Sequence, residues 1–282
     1  MGILLSQAKY LIKNCIEHDI KDSIITLGRL DFFLTLTQFN LLMQEFNLSD
    51  GVSFYNKDID NKVNALIKEE RHTNRFFKNK KVMSELPISD ILFYTALGFN
   101  KIDCIDVENT RGEPSIIFDL NNSNLKESIA DKYNLVLDAG VMEHVFDIRS
   151  LMLNITDITE VDGFLIHILP SNNTLDHGFY QFSPTLFKDY YEAQKYDIKN
   201  ISLLEIQEDN YCQLNTSFVD KWYNYRIWDY DNYLMSKNSF GQLSNNIYYT
   251  LSCVQKKKNS LRDIAPIQYL YQKNSKLLSP WS

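Results

Sequence analysis

The sequence predicts an α/β protein with a doubly wound, mostly parallel sheet. Three observations predict it: short apolar runs rich in β-branched residues recur along the chain, helical patterns lie between them, and acidic residues or glycines follow them. Parallel strands need long crossover connections, and the spacing of these runs suits right-handed βαβ units. We expect seven strands, the last of them antiparallel, with a helical insertion after the first βα unit.

The elements follow in the order that such a sheet requires. Residues 23–28 predict the first strand, since β-branched side chains precede Gly28, which permits a sharp exit. Thr35 and Gln38 form a capping-box pattern for the next helix, whose apolar residues fall on one face. Further apolar runs predict the other strands at residues 102–107, 116–118, 135–137, 164–169, 198–206 and 247–254.

Two segments interrupt this order. Residues 49–88 resemble a lid-like helical insertion, and Ser89 then caps a helix. Residues 207–246 form an aromatic-rich excursion that could pack, make a subunit contact or stack on sugar faces. Its aromatic cluster consists of Trp222, Tyr223, Tyr225, Trp228, Tyr230 and Tyr233. We expect one domain over residues 1–256 and a C-terminal tail at 257–282.

Composition narrows the classes of partner and compartment. The net charge of -7 gives no broad positive field, so we expect a small-molecule substrate rather than nucleic acid, and a homo-oligomer stays open. No apolar run is long enough to span a bilayer, and no secretory leader pattern is present. The four cysteines show neither metal-site spacing nor a dense disulfide pattern: Cys15, Cys104, Cys212 and Cys253. We expect a cytoplasmic protein.

The loops that follow the strands are the expected binding region, because open α/β sheets bind ligands beyond the carboxyl ends of their strands. The first loop has the single Gly28, whereas a dinucleotide needs G-x-G-x-x-G to bring backbone amides around its phosphates. Asp106 and Glu108 end the second strand, where an acid can accept hydrogen bonds from ribose hydroxyls or simply cap a turn. These features favour a cofactor that contains adenosine and lacks phosphates.

The strand-end motifs resemble class I S-adenosylmethionine-dependent methyltransferases over residues 23–206, and are most similar to the branch found in surface-polysaccharide gene clusters. The matching pieces are Leu27-Gly28-Arg29, Phe118-Asp119-Leu120-Asn121, residues 133–146 and residues 177–184. Glu-His-Val-Phe at 143–146 and His-Gly-Phe-Tyr-Gln-Phe-Ser-Pro at 177–184 are the most specific. The first loop departs from the general pattern, since Arg29 stands where another glycine is common.

This resemblance implies a Rossmann-like fold and methyl transfer from S-adenosylmethionine. The expected acceptor is a sugar, nucleotide-sugar or glycan substituent of a capsule or other surface polysaccharide, with an amine or a small phosphorus oxyacid also open. The implied cofactor-binding residues are Gly28, Arg29, Asp106, Asp119, Leu120, Asp138, Ala139 and Gly140. The implied substrate-binding residues are Glu143, Asp176, Tyr180 and Gln181.

Histidine is the expected general base for a hydroxyl acceptor near neutral pH. His144 and His177 lie in post-strand loops and are the predicted catalytic residues, although each could instead hold its loop in shape. Asp176 could orient the His177 ring. His167 lies inside the fifth strand and is expected to be a packed core residue.

Three further readings of the sequence can be compared with this one. Glu143, His144 and Asp147 lack the spacing of a metal site, so no metal is expected. The single-glycine loop also suits a methyltransferase-like module that binds cofactor or a partner without turnover. A nicotinamide-dependent enzyme is disfavoured because the phosphate cradle is missing.

Overall fold

The computed structural model describes residues 2–73, 87–108, 116–206, 225–230 and 245–268. The strands are β1 (Gly2–Ile3), β2 (Asp22–Leu27), β3 (Asp31–Phe32), β4 (Phe99–Asp106), β5 (Ile116–Ile117), β6 (Tyr133–Asp138), β7 (Thr159–Asn172), β8 (Asp197–Ile206), β9 (Tyr225–Asp229) and β10 (Ile247–Gln255). The helices are α1 (Leu5–Glu17), α2 (Leu36–Glu45), α3 (Lys57–Thr73), α4 (Asp90–Ala96), α5 (Ile148–Ile158) and α6 (Pro184–Ala193).

The main sheet has the strand order β5-β4-β2-β6-β7-β10-β8-β9. From β5 to β7 every neighbouring pair is parallel, while β10 runs antiparallel to both β7 and β8. This arrangement confirms the predicted Rossmann-like α/β fold with an antiparallel last strand. The sheet has eight strands rather than the seven expected, because β9 pairs with β8 at its edge.

The additional strand, β9, carries no recognisable pattern in the sequence. Four of the five residues of β9 are exposed, so the strand has no buried face to produce an alternation of apolar and polar side chains. Of the aromatic cluster, Trp228 is 44% exposed on this strand. The remainder of the excursion, at 207–224 and 231–244, lies outside the described residues.

Each face of the sheet packs against its own helices. Ile24 and Leu135 belong to a core with α1, α2 and α4, whereas the next residues, Ile25 and Val136, belong to a second core with α5 and α6. Successive side chains of a strand point to opposite faces, so continuous apolar strands are required when both faces are covered. This explains why the central strands read as unbroken apolar runs.

The predicted helix starts are confirmed. The Thr35 hydroxyl accepts from the Gln38 amide and the Gln38 side chain accepts from the Thr35 amide, which completes the capping box of α2. Ser89 accepts from the Leu92 amide and caps α4. The expected insertion contains α3, whose Val63 joins the core, and residues 74–86 lie outside the described part.

A separate two-stranded parallel ribbon lies beside the main sheet and has no counterpart in the sequence prediction. It pairs β1 with β3, matching Gly2 to Asp31 and Ile3 to Phe32. The Phe33 ring occupies the place that a Cβ on Gly2 would take, so these two segments are in close contact. Two-residue strands are too short to show periodicity, which is why the ribbon escaped prediction.

The start of the expected tail lies against the domain. Arg262 makes a bidentate ion pair with Asp157 of α5 at 2.6 and 2.7 Å, and the Leu261 amide donates to the Gln194 carbonyl after α6. Residues 269–282 lie outside the described ranges.

Two findings bear on membranes and disulfides. Across the residues that the structure describes, no helix combines the length and apolarity that crossing a membrane requires. Cys15, Cys104 and Cys253 are buried and unpaired, whereas Cys212 lies outside the described ranges.

Candidate functional site

A cavity of about 290 Å³ lies at the carboxyl ends of β2, β4 and β5 and beside the loop after β6. It brings together five of the predicted cofactor-binding residues: Gly28, Arg29, Asp106, Asp119 and Leu120. The predicted base His144 also lines it. Residues that the sequence predicts to bind the cofactor therefore lie together in one cavity.

The turn after β2 depends on Gly28. Its φ of 70° lies in the left-handed region that favours glycine, and its amide donates to the Ile105 carbonyl of β4 at 2.7 Å. Asp106 is half-buried at the end of that neighbouring strand, where one carboxylate oxygen accepts from the Val107 amide at 2.8 Å. Asp106 thus lines the cavity with one carboxylate oxygen bonded to the backbone of its own turn.

Two further polar residues of this cavity are held by neighbours. Asp119 accepts from the amide and side chain of Asn121 at 2.9 and 2.8 Å, which shapes the turn after β5. The Arg29 guanidinium lies 3.1 Å from Asp90 at the start of α4. Burial raises the pKa of Asp90, while the Arg29 charge opposes that rise. Arg29 thus brings a paired positive charge to the wall.

Asp138 is buried beneath the loop and does not line this cavity. One carboxylate oxygen accepts from the amides of Val141 and Met142 at 3.2 and 3.3 Å, and the other lies 3.1 Å from Nδ1 of His167. Nε2 of His167 lies 2.6 Å from the Tyr191 hydroxyl of α6. His167 is fully buried, which confirms it as a core residue. These bonds tie the loop after β6 to α6.

A second cavity, of about 230 Å³, lies on the other side of this loop. The predicted residues Ala139, Gly140, Glu143 and His177 line it. The remaining wall was not predicted and consists of Gly2, Leu4, Gln7, Phe33, Ile168 and Tyr249. Most of these side chains are apolar, and Glu143 and His177 supply the carboxyl and imidazole groups.

Glu143 is the most unusual residue of the second cavity. Its side chain is 0% exposed, and neither carboxyl oxygen has a hydrogen-bond partner among the described residues. Burial, followed by the nearby charge of Asp138, raises the pKa of Glu143 from 4.5 to about 8. Glu143 was predicted as a substrate-binding residue, and nothing in the sequence signals its burial.

Both predicted catalytic histidines approach this buried carboxyl group. Nε2 of His177 lies 3.5 Å from Oε1 of Glu143, and Nε2 of His144 lies 3.9 Å from the same oxygen. The histidine side chains are 46% and 43% exposed. Burial, with the adjacent His177, lowers the pKa of His144. The three groups therefore converge without forming a hydrogen bond of normal length.

Gly178 explains how a residue so distant in sequence reaches Glu143. A Cβ on Gly178 would lie 2.7 Å from the Glu143 carbonyl oxygen, and the next amide, of Phe179, donates to that carbonyl at 2.7 Å. Only glycine allows this approach without a shift of the backbone. The His-Gly dipeptide thus places His177 beside Glu143.

The other predicted acceptor residues line neither of the two cavities. Asp176 is exposed with a φ of 61°, and the carboxyl group beside the His177 ring belongs to Glu143 instead. The Tyr180 hydroxyl donates to the Phe146 carbonyl at 3.0 Å, and the Gln181 side chain accepts from Thr174 at 3.0 and 3.2 Å. In this structure these side chains shape the loop after β7.

Comparison by sequence finds no relative: no protein-family profile matches this chain, and neither does any curated protein.

Comparison by structure finds S-adenosylmethionine-dependent methyltransferases. One from Clostridium acetobutylicum aligns over 89% of this chain and 90% of its own, with 9% identity and a TM-score of 0.32. The N-methyltransferase NodS from Bradyrhizobium japonicum aligns over 58% and 78%, with 14% identity and a TM-score of 0.32.

TehB from Haemophilus influenzae is a further match, at 14% identity with a TM-score of 0.36 over 59% of this chain. The chain spans 53%, or about half, of TehB's length. At these values the likeness carries no argument about residue roles, and the fold assignment rests on the strand order.

Proposed function

We propose that this chain binds S-adenosylmethionine and transfers its methyl group to an oxygen of a small polar acceptor. The observation that carries the proposal is the first cavity, where the loops after β2, β4, β5 and β6 meet around Asp106 and Asp119. The strand order of the main sheet supports it at the level of fold. The sequence lacks the glycine-rich cradle that a diphosphate needs, so an adenosine cofactor without phosphates fits better than a dinucleotide.

The lining of the first cavity fits an adenosine group. Asp106 ends the second strand and would accept hydrogen bonds from ribose hydroxyls, while the turn at Asp119 and Leu120 would contact the adenine edge. The loop after β6 lies between the two cavities, since Val141 and His144 line the first and Ala139 and Gly140 line the second. We assign the second cavity to the acceptor.

When bound, S-adenosylmethionine supplies an electrophilic methyl group whose carbon–sulfur bond breaks as the oxygen–carbon bond forms, the bonding electrons leaving on sulfur as a neutral thioether. The protein's work is to hold the acceptor in line and to take its proton. His177 lines the acceptor cavity and would accept the hydroxyl proton at Nε2. Glu143, 3.5 Å away, would stabilise the resulting imidazolium if ionised, and His144 is the alternative base.

The acceptor class that we propose rests on the motif resemblance, and the cavity limits only the size of the acceptor. A volume of about 230 Å³ suits a small molecule, and a sugar, nucleotide-sugar or glycan substituent of a surface polysaccharide is the class that we propose. A small phosphorus oxyacid or an amine is the next class to test. We place this activity in one methyltransferase domain at residues 1–256 of a cytoplasmic protein.

The direct test has two stages. Calorimetric titration with S-adenosylmethionine should show saturable binding, and failure to bind at millimolar concentration would defeat the proposal. A screen with methyl-labelled cofactor against nucleotide-sugars, glycan fragments and phosphorus oxyacids should then identify the acceptor by transfer of label.

A non-catalytic binding module is the alternative function. The exposed edge strand β9, with Ile227 at 42% and Trp228 at 44% exposure, is the observation that favours a partner surface. Cofactor binding without transfer to any acceptor in the screen, together with a partner captured through β9, would favour this alternative over the enzyme.

A further inference from the structure

The junction of the two cavities contains a carboxyl group that the protein itself leaves without a partner. Glu143 is fully buried, and both of its oxygens lack a hydrogen-bond donor within the described chain. A buried polar group without a hydrogen-bond partner is unfavourable, and a bound ion or ligand is one way to satisfy it. Glu143 lines the acceptor cavity, which gives a ligand a route to it.

The two histidines surround Glu143 at distances that distinguish between kinds of site. A carboxylate–histidine pair for proton transfer forms a hydrogen bond of roughly 2.7–2.9 Å, whereas Nε2 of His177 and of His144 lie 3.5 and 3.9 Å from Oε1. Two ligand atoms that are each about 2.1 Å from one metal at a tetrahedral angle are about 3.4 Å apart. The observed separations therefore suit ligands that share an ion.

All three residues can reach one point. One ligand atom from each of Glu143, His144 and His177 lies within 4.8 Å of the others. Glu143 is fixed by its burial in the short 3₁₀ helix Met142–His144, while the two histidine rings are nearly half exposed and can close by small rotations. Gly178 holds the loop that carries His177 against the Glu143 backbone.

We infer that Glu143, His144 and His177 bind a divalent first-row transition-metal ion. Two imidazoles and one carboxylate suit ions such as Zn²⁺, Co²⁺ or Fe²⁺, whereas Mg²⁺ and Ca²⁺ take oxygen ligands. Three protein ligands leave coordination positions open, as at catalytic metal sites. This inference revises the expectation of no metal, which considered Asp147 rather than His177 as the third ligand.

The position of the site indicates its use. His144 lines the first cavity, and Glu143 and His177 line the second, so the ion stands between them. An acceptor hydroxyl at an open position would lose its proton to solvent more readily, because the ion stabilises the oxyanion. In that form His177 donates its lone pair to the ion and is a ligand, so it acts as a base only in the metal-free protein. This use rests on the proposed methyl transfer, whereas metal binding does not.

The test uses untagged full-length protein, freed of metal by EDTA and dialysis, and titrated with Co²⁺. We expect a visible absorption band that saturates at one ion per chain and disappears when Zn²⁺ is added. His177→Ala and His144→Ala should each weaken Co²⁺ binding at least tenfold. His18→Ala, at a half-buried ring away from both cavities, is the matched control and should bind as the unmodified chain does.

Each outcome decides one question. The absence of a saturable band, or a band that persists unchanged in both histidine variants, overturns the metal site. Circular dichroism and thermal melting of every variant separate the loss of a ligand from the loss of folding. S-adenosylmethionine is titrated into the same metal-free samples, so that failure of the cofactor to bind counts against the proposed function alone.

Discussion

The two cavities on either side of the loop at residues 139–145 differ in whether their carboxylates have hydrogen-bond partners. In the first, Asp106 and Asp119 are bonded to backbone amides of their own turns and remain accessible. In the second, Glu143 is fully buried and has no partner within the described chain. These two carboxylates of the first cavity are thus hydrogen-bonded before any ligand binds, while the second cavity holds an unsatisfied carboxyl group.

This difference suggests which residues affect cofactor affinity and which affect turnover. Groups satisfied before the ligand arrives contribute mainly to affinity, because they change little along a reaction. A buried, unsatisfied group gains most when charge or a metal ion arrives beside it. We therefore expect changes around the second cavity to affect turnover and changes around the first to affect cofactor affinity.

The largest expected effect is on turnover. His177→Ala should lower kcat by about a thousandfold, roughly 4 kcal/mol. In the metal-free protein the variant lacks the acceptor for the hydroxyl proton, and in the metal-bound form it lacks a ligand of the ion. The dissociation constant for S-adenosylmethionine, measured by calorimetry, should stay within about twofold. His18→Ala should change neither quantity, and an equal loss of affinity and turnover in His177→Ala would contradict the separation.

The next effect concerns stability and pH. The pKa of Glu143 is raised to about 8, so the folded state holds this proton more tightly than the unfolded state does. The contribution of protonated Glu143 to the free energy of unfolding is intact below about pH 4.5 and is lost as the pH rises towards 8. In EDTA, the metal-free protein should be less stable than Glu143→Gln by roughly 3 kcal/mol at pH 8. Urea unfolding at pH 5 and pH 8 tests this, and a difference independent of pH would rule out the titration.

A smaller effect is expected at the first cavity. Asp106→Asn should weaken S-adenosylmethionine binding by about ten- to a hundredfold, or roughly 1.4–2.7 kcal/mol, because charge-assisted bonds to ribose hydroxyls are lost. At saturating cofactor, kcat should remain within about threefold. Asp103→Asn, on the same strand but outside both cavities, is a suitable control. Unchanged affinity would remove Asp106 from the cofactor site.

The smallest effect concerns the contact that joins the two halves of the second cavity. Gly178→Ala would place a Cβ 2.7 Å from the Glu143 carbonyl oxygen, so the loop must move and carry His177 with it. We expect about a tenfold loss of kcat, roughly 1.4 kcal/mol, with cofactor affinity unchanged. Normal turnover in a folded variant would show that the position of His177 is unimportant.

The regular part of the fold could be predicted because both faces of the central strands are covered. Residues 135–137 and 164–169 read as unbroken apolar runs and form the centres of β6 and β7. The edges were harder, since the two-residue strands β1 and β3 are too short for any period and β9 is exposed. At the edges, pairing partners rather than local pattern decide the structure.

The candidate site divides in the same way. Gly28, Asp106 and Asp119 could be placed in the first cavity because position after a strand determines where a side chain lies. The burial of Glu143 and its approach to His177 depend on Gly178, 35 residues later in the chain, packing against the loop after β6. A sequence pattern has no access to such a contact, nor to the wall that Gly2, Leu4 and Gln7 form.

That wall has a consequence for redesigning the cavity that we propose for the acceptor. The ribbon of β1 and β3 forms a sheet of its own. The loop after β6 is instead bound through Asp138, His167 and Tyr191 to the centre of the main sheet and to α6. An engineer seeking a different acceptor can therefore begin with Phe33, which is partly buried, since Leu4 belongs to the core and the Gln7 side chain caps α1. Glu143 and His177, on the other side of the cavity, would keep their positions.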